Sequence, residues 1–173
     1  MTRCGFKPRC ALEVIDSGGT RIAKIEKLIE ECPIGIHDIS RTELSEASGL
    51  PRFNMPLELG LFLGAKRYGD AVQRRKRCLV LDRQQYRYQQ FMSDIAGQDI
   101  EAHANDIGTV ITKVRSFLNS TVRGAPFPSG AVLAEDYGLF TEALPDICKE
   151  LELDVDALDY RDFVWIVTDY VVV

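Results

Sequence analysis

Three carboxylates stand where an α/β protein could use them. Asp38 lies at the end of the apolar run IGIHDI, Ile34 to Ile39. Glu58 lies near the start of the apolar stretch NMPLELGLFLGA. Asp16 opens the turn Asp16-Ser17-Gly18-Gly19 after the short run RCALEVI. Brought together, they would form an acidic cluster able to bind a metal, do general acid/base work, or act as a nucleophilic pair at a glycosidic carbon. Each also has a plain structural use. Asp38 could cap the turn that follows it, Asp16 could serve its own turn, and Glu58 could do no more than partner a helix dipole.

Ligand contacts are expected around these acids. Ser40 and Arg41 follow the Asp38 strand end. Arg52, Phe53 and Asn54 offer a cation, a stacking ring and an amide, a common kit for a nucleotide, and Arg41 or Arg52 could hold a phosphate. His37, within the apolar run 34–39, reads as a satisfied core histidine. His103 is solitary and reads as structural or surface. Tyr86, Tyr88 and Phe91 read as packing. No Walker A pattern, GxGxxG, GxSxG or HExxH occurs, and the glycines at 18 and 19 are too few to cradle a phosphate. No cofactor and no resident metal is called for.

The elements that must position these residues follow from periodicity. Residues 9–15 read as a first strand, Arg21 to Cys32 as a helix capped by Thr20, and 34–39 as a second strand. Asn54 reads as the N-cap of a largely buried helix that carries Pro56 and Glu58 in its first turn. Residues 77–81 read as a third strand. The basic run Arg74-Arg75-Lys76-Arg77 ahead of it reads as a solvated loop. Residues 86–92 suit a short helix, 99–103 a fourth strand, and 106–118 an amphipathic helix. The stretch 124–130, with Pro126 and Pro128, reads as a linker. Helices are expected over 131–144, 145–151 and 160–171. The fold class is α/β: a flavodoxin-like open parallel sheet of about four strands with flanking helices. Residues 1–122 form its main body and 123–173 a C-terminal helical extension. In such sheets ligands bind beyond the carboxyl ends of the strands, where 16–19, 37–41 and 82–88 should converge.

A chain of 173 residues with 46% hydrophobic and 27% charged residues can bury one ordinary core. A net charge of −5 gives no global field for nucleic acid. Five cysteines without a CxxC point to free thiols in a reducing cytoplasm rather than to disulfides or zinc. No membrane span and no signal peptide is read.

The stretches IHDISRTELSEASGLPRFNMPLELGLFLGAKRYG, KRCLVLD, YRYQQFMSDIAGQDIEAH and VRSFL resemble a group of bacterial proteins. The fold of that group is in turn similar to the nucleoside 2-deoxyribosyltransferase-like and TIR-like superfamily. The resemblance implies roles. Glu58 matches the glutamate that attacks the anomeric carbon in deoxyribosyltransferases, or that supports nicotinamide–ribose cleavage in catalytic TIR domains. Asp38 matches the strand-end acid that holds the sugar or base. The implied function is a nucleoside or nucleotide (NAD among them) N-glycosidase or deoxyribosyltransferase-like activity. The alternative is a non-catalytic nucleotide-sensing or protein-interaction module of TIR-like type, and a weaker third is a metal-assisted phosphohydrolase on Asp16, Asp38 and Glu58. Members of the group carry a further strand and helix ahead of the segment matching CGFKPRCALEV. An N-terminally short domain with an exposed sheet edge, prone to form a homo-oligomer, is therefore expected.

Overall fold

A computed structural model describes residues 1–172; the last residue of the expected extension, Val173, lies outside them. The chain is mixed α/β. Its open parallel sheet has the order β1 (Ile34–Asp38), β2 (Arg77–Asp82), β3 (Glu101–Ala102). The register pairs Ile36 with Leu79 and Asp38 with Leu81 across β1 and β2, then Asp82 with Ala102 across β2 and β3. The described residues also form five helices: α1 (Arg21–Glu31), α2 (Asn54–Tyr68), α3 (Ile107–Thr121), α4 (Gly130–Glu150) and α5 (Tyr160–Val172).

The sheet has three strands among the described residues, not four. The segment expected as a first strand holds only a 3-10 turn at Ala11–Glu13, and Leu12, Val14 and Ile15 are exposed. Local bonds take the groups a ladder would need. The Glu13 N–H donates to the Cys10 carbonyl, and the Lys24 ammonium draws in the carbonyls of Val14 and Asp16. Apolar content alone does not make a strand when its backbone is already committed.

The α1–α2 layer covers one face of the sheet. Thr20 caps α1 by accepting the Ala23 N–H at 3.3 Å, and Ile25 and Ile29 pack with Phe62 and Cys78. Leu59 joins Ile39, Val80, Tyr88 and Ile100. Along α2, Leu59 therefore meets the carboxyl end of β1 and Phe62 meets Gly35 and His37 nearer its middle. The helix runs against the strand, and its N-terminus stands on the rim where the strands end. Gly35 permits this approach, since a Cβ there would press on the Phe62 ring at 2.7 Å.

Several local readings need correction. Helix α2 begins at Asn54, and Phe53 is its N-cap without any side-chain bond, so Asn54 caps nothing. Glu58 consequently falls in the second turn, where the dipole of the helix end is already weak. Only Leu59 and Phe62 of α2 are buried, so this helix lies on the sheet instead of within it. Lys76 is not a solvated member of a basic loop. It is 2% exposed, its ammonium donates to the carbonyls of Ile29 and Cys32 at the end of α1, and it stands 5.5 Å from the Phe62 ring centroid. A cation that closes the last turn of a helix satisfies carbonyls that would otherwise be orphaned.

The opposite face of the sheet meets α3. Arg77, which alternates with Cys78, lies over Phe117 and donates to the Ser120 carbonyl and hydroxyl. Asp106 caps α3 through the Thr109 N–H, and α4 packs along α3. The break expected at Pro145 does not occur. Helix α4 runs through it, and Phe140 and Cys148 on either side are clamped by Ile166 of α5. The apolar tail FVWIVTDYVV is helical, as its Asp159 cap suggests: Asp159 accepts the Asp162 N–H at 2.9 Å. The described cysteines are all free. Among the described residues no helix is long and apolar enough to cross a membrane.

Candidate functional site

The carboxyl ends of β1, β2 and β3 meet in a polar cluster, built on two aspartates that each end an apolar strand. Asp38 ends β1 on the α3 face. Its Oδ1 accepts the Ser40 N–H at 2.9 Å and faces His103 Nε2 at 3.4 Å. The Asp38 side chain keeps 45% of its surface exposed, while His103 is buried. Asp82 ends β2 on the α2 face and is completely buried. Its Oδ1 accepts the Arg83 N–H and both Nε (2.9 Å) and Nη2 (2.6 Å) of Arg87. Arg87 also reaches the carbonyls of Ile39 and Ser40 and the Thr42 hydroxyl, and its guanidinium lies 4.9 Å from the Phe91 ring centroid. One arginine thus ties the end of β2 to the end of β1 and to the base of the 41–53 loop. Arg83 pairs with Glu43 across the same gap. The loop itself folds back through a Leu44–Pro51 bridge and the Ser45 N–H to Leu50 carbonyl bond.

Backbone strain gathers here. Tyr86, Ala104 and Asn105 have φ of 61°, 51° and 58°, the left-handed region, which asparagine tolerates but which costs Tyr86 and Ala104 about 1 kcal/mol or more each. Ala104 and Asn105 are held by the Ala104 N–H to Arg83 carbonyl bond and by the Asn105 N–H, which donates to His103 Nδ1 at 3.1 Å.

Glu58 stands apart from this cluster. It lies on α2 at the side facing α1, half-buried. Burial pushes its carboxyl above the usual range, and the nearby Arg21 guanidinium, at the start of α1, opposes that shift. Asp16 is exposed, and its Oδ1 accepts the Gly18 N–H at 2.8 Å, a turn-closing bond. Arg41, Arg52, Phe53 and Asn54 are exposed along the rim, and Ser40 is buried with its backbone fully used by Asp38 and Arg87. The three acids do not converge: among the described residues no group of three or more His, Cys, Asp and Glu is placed to hold a metal ion. Asp38 and the α2 side chains lie on opposite sides of β1, so a ligand touching both Asp38 and Glu58 would have to lie across the strand tip.

No family model matches the chain, and neither does any curated protein or solved structure at a significant level.

Two cavities stand elsewhere. One of ≈ 1090 Å³ opens among α3, α4, α5 and the first residues of the chain, lined by Cys4, Leu118, Phe140 and Ile166 among others. A smaller one, ≈ 190 Å³, lies between α1 and α2 beside Ile29 and Leu61. Glu58 and Asp38 line neither.

The sequence places 82–88 at this rim but gives Asp82 and Arg87 no individual role, and it reads His103 as structural or surface. The signal was present for Asp82, because RCLVLD ends in an aspartate as IGIHD does, and two parallel strands with matching acidic ends meet at one rim. Nothing in the spacing marked His103, which owes its place to the two-residue strand before it. His37 is a core histidine, but an unsatisfied one. It is 7% exposed against the Phe62 ring, neither ring nitrogen has a hydrogen-bond partner, and burial pushes its pKa down to about 4.

Proposed function

We propose that this chain is a flavodoxin-like, nucleoside- or nucleotide-processing protein of the deoxyribosyltransferase-like and TIR-like kind, acting on an N-glycosidic bond. What supports the reading is the rim where β1 and β2 end in Asp38 and Asp82, with the N-terminus of α2 at the same end and Glu58 in its second turn, on the other side of β1 from Asp38. Breaking an N-glycosidic bond builds positive charge at the anomeric carbon. A carboxylate fixed on a helix can stabilise that charge or capture it covalently. Glu58 has that part. Its raised pKa reflects a desolvated carboxylate, which is more reactive toward a cationic carbon than a hydrated one. Asp38, with Oδ1 engaged and much of its side chain exposed, would hold a sugar hydroxyl or protonate the leaving base. Arg41 and Arg52 would meet a phosphate, and Phe53 and Asn54 the base. The protein would work in the cytoplasm as a homo-oligomer, and the free outer edge of β1 offers one place for two copies to meet.

The direct test is incubation with NAD and with 2-deoxynucleosides, followed by chromatography of the released base. Wild type should release base from one class, and Glu58→Gln should lower the rate by about 10²–10⁴-fold at unchanged stability. Absence of release from either class by folded wild type removes the enzymatic reading.

A second reading rests on a different observation. Leu44, Leu50, Phe53 and Leu57 are each about half exposed or more around the rim, and Glu58 and Asp38 line neither cavity described above. A non-catalytic nucleotide-sensing or protein-interaction module would use that surface without turnover. Saturable binding with no product, little changed by Glu58→Gln, would favour it.

A further inference from the structure

We infer that His103 is a positioning residue for Asp38, presenting its Nε2–H to that carboxylate and thereby fixing Asp38 as an acceptor of a ligand hydroxyl. The role toward a sugar rests on the N-glycosidic reading above; the pairing itself does not.

Three observations converge. His103 is 4% exposed, and Nε2 has no hydrogen-bond partner among the described residues, while Asp38 Oδ1 stands 3.4 Å from it. The other ring nitrogen, Nδ1, accepts the Asn105 N–H, so the neutral ring must carry its proton on Nε2, toward Asp38. The backbone that delivers that N–H is the left-handed pair Ala104–Asn105, anchored by the Ala104 N–H to the Arg83 carbonyl. Asp38 Oδ1 therefore accepts the Ser40 N–H and has the imidazole N–H within reach, while the side chain keeps 45% of its surface exposed. A carboxylate oriented by a backbone N–H and a neighbouring imidazole N–H is placed to accept from a ligand hydroxyl. Of the two roles open to Asp38, this is the sugar contact. The long Nε2 to Oδ1 separation fits a bond that tightens when a ligand orders the carboxylate.

The chain has two histidines, which makes the test clean. Long-range ¹H–¹⁵N spectra of the imidazole rings should show His103 as the Nε2–H tautomer. Asp38→Asn should move the His103 ring signals and leave those of His37 in place. An Nδ1–H tautomer, or His103 signals indifferent to Asp38→Asn, overturns the inference whether or not the protein turns anything over. In the assays with NAD and 2-deoxynucleosides, His103→Leu should lose ~10- to 100-fold in kcat/KM, as removal of a supporting contact to a functional ligand typically does. The loss should fall mainly on KM. His103→Gln, whose amide N–H can occupy the place of Nε2, should recover most of it. Equal losses in the Leu and Gln variants at equal thermal stability would contradict a donor role. Turnover absent in wild type with the predicted spectra intact would remove the N-glycosidic reading and leave the pairing standing.

Discussion

Arg87→Met should lower the unfolding free energy by about 3–5 kcal/mol in a urea melt, a large share of the roughly 5–15 kcal/mol that holds an ordinary domain together. The side chain is 10% exposed and makes five hydrogen bonds, two of them to a carboxylate with no exposed surface. Its removal leaves Asp82 as an uncompensated buried charge, and Asp82 Oδ2 is already without a partner. It also releases the Ile39 and Ser40 carbonyls and the Thr42 hydroxyl, so amide exchange should quicken across the 41–53 loop. The double variant Asp82→Leu with Arg87→Met should recover much of the loss, because a buried pair replaced by apolar side chains is often neutral or better. A single-variant melt within about 1 kcal/mol of wild type would mean that the pair is not the tie described.

The second large effect is a pH dependence centred on His37. In the folded protein its pKa is about 4, and burial among apolar atoms is the cause; the free side chain titrates near 6.5. The unfolded state therefore binds the proton first. Stability from keeping this ring neutral is complete above about pH 6.5, falls as the pH drops, and is fully lost below about pH 4. At 1.36 kcal/mol per pKa unit the loss amounts to about 3 kcal/mol. No acid faces the ring to offset it: neither nitrogen has a partner, and Phe62 and Gly35 close around it. His37→Leu should remove this component from the pH profile. At pH 7.5 it should be neutral or stabilising, since it replaces two unsatisfied buried nitrogens. Matching slopes for wild type and His37→Leu between pH 7.5 and 4 would contradict the assignment.

How much of this could be seen in the sequence differs by element. Strands β1 and β2, helices α1 and α3, and the helical character of the tail follow from periodicity and caps, because the burial that shapes them is local. Residues 9–15 have the composition of a strand, but strand formation needs a partner and a free backbone, and Lys24 takes the carbonyls. Helix α2 starts at Asn54, the residue that the sequence suggests as its N-cap. That moved Glu58 out of the first turn and changed the reason it could act, from a helix dipole to desolvation. Lys76 and Arg87 show the limit most plainly. Lys76 reads as part of a solvated basic run and Arg87 as one residue of a short helix, and only the tertiary fold reveals carbonyls and a carboxylate in reach. Asp38 and Asp82 were the legible half of the candidate site. His103 was not, because its importance lies in a contact between strands that are distant in sequence.

The central claim is that the strand-end rim takes a nucleoside or nucleotide. Backbone amide NMR during titration with NAD and with 2-deoxyadenosine tests it most directly. The account predicts saturable shifts at Asp38, Ser40, Phe53, Glu58 and His103, with the α3–α4–α5 cavity unmoved. Shifts confined to that cavity, at Leu118, Phe140 and Ile166, or no shifts with either ligand at millimolar concentration, would contradict it.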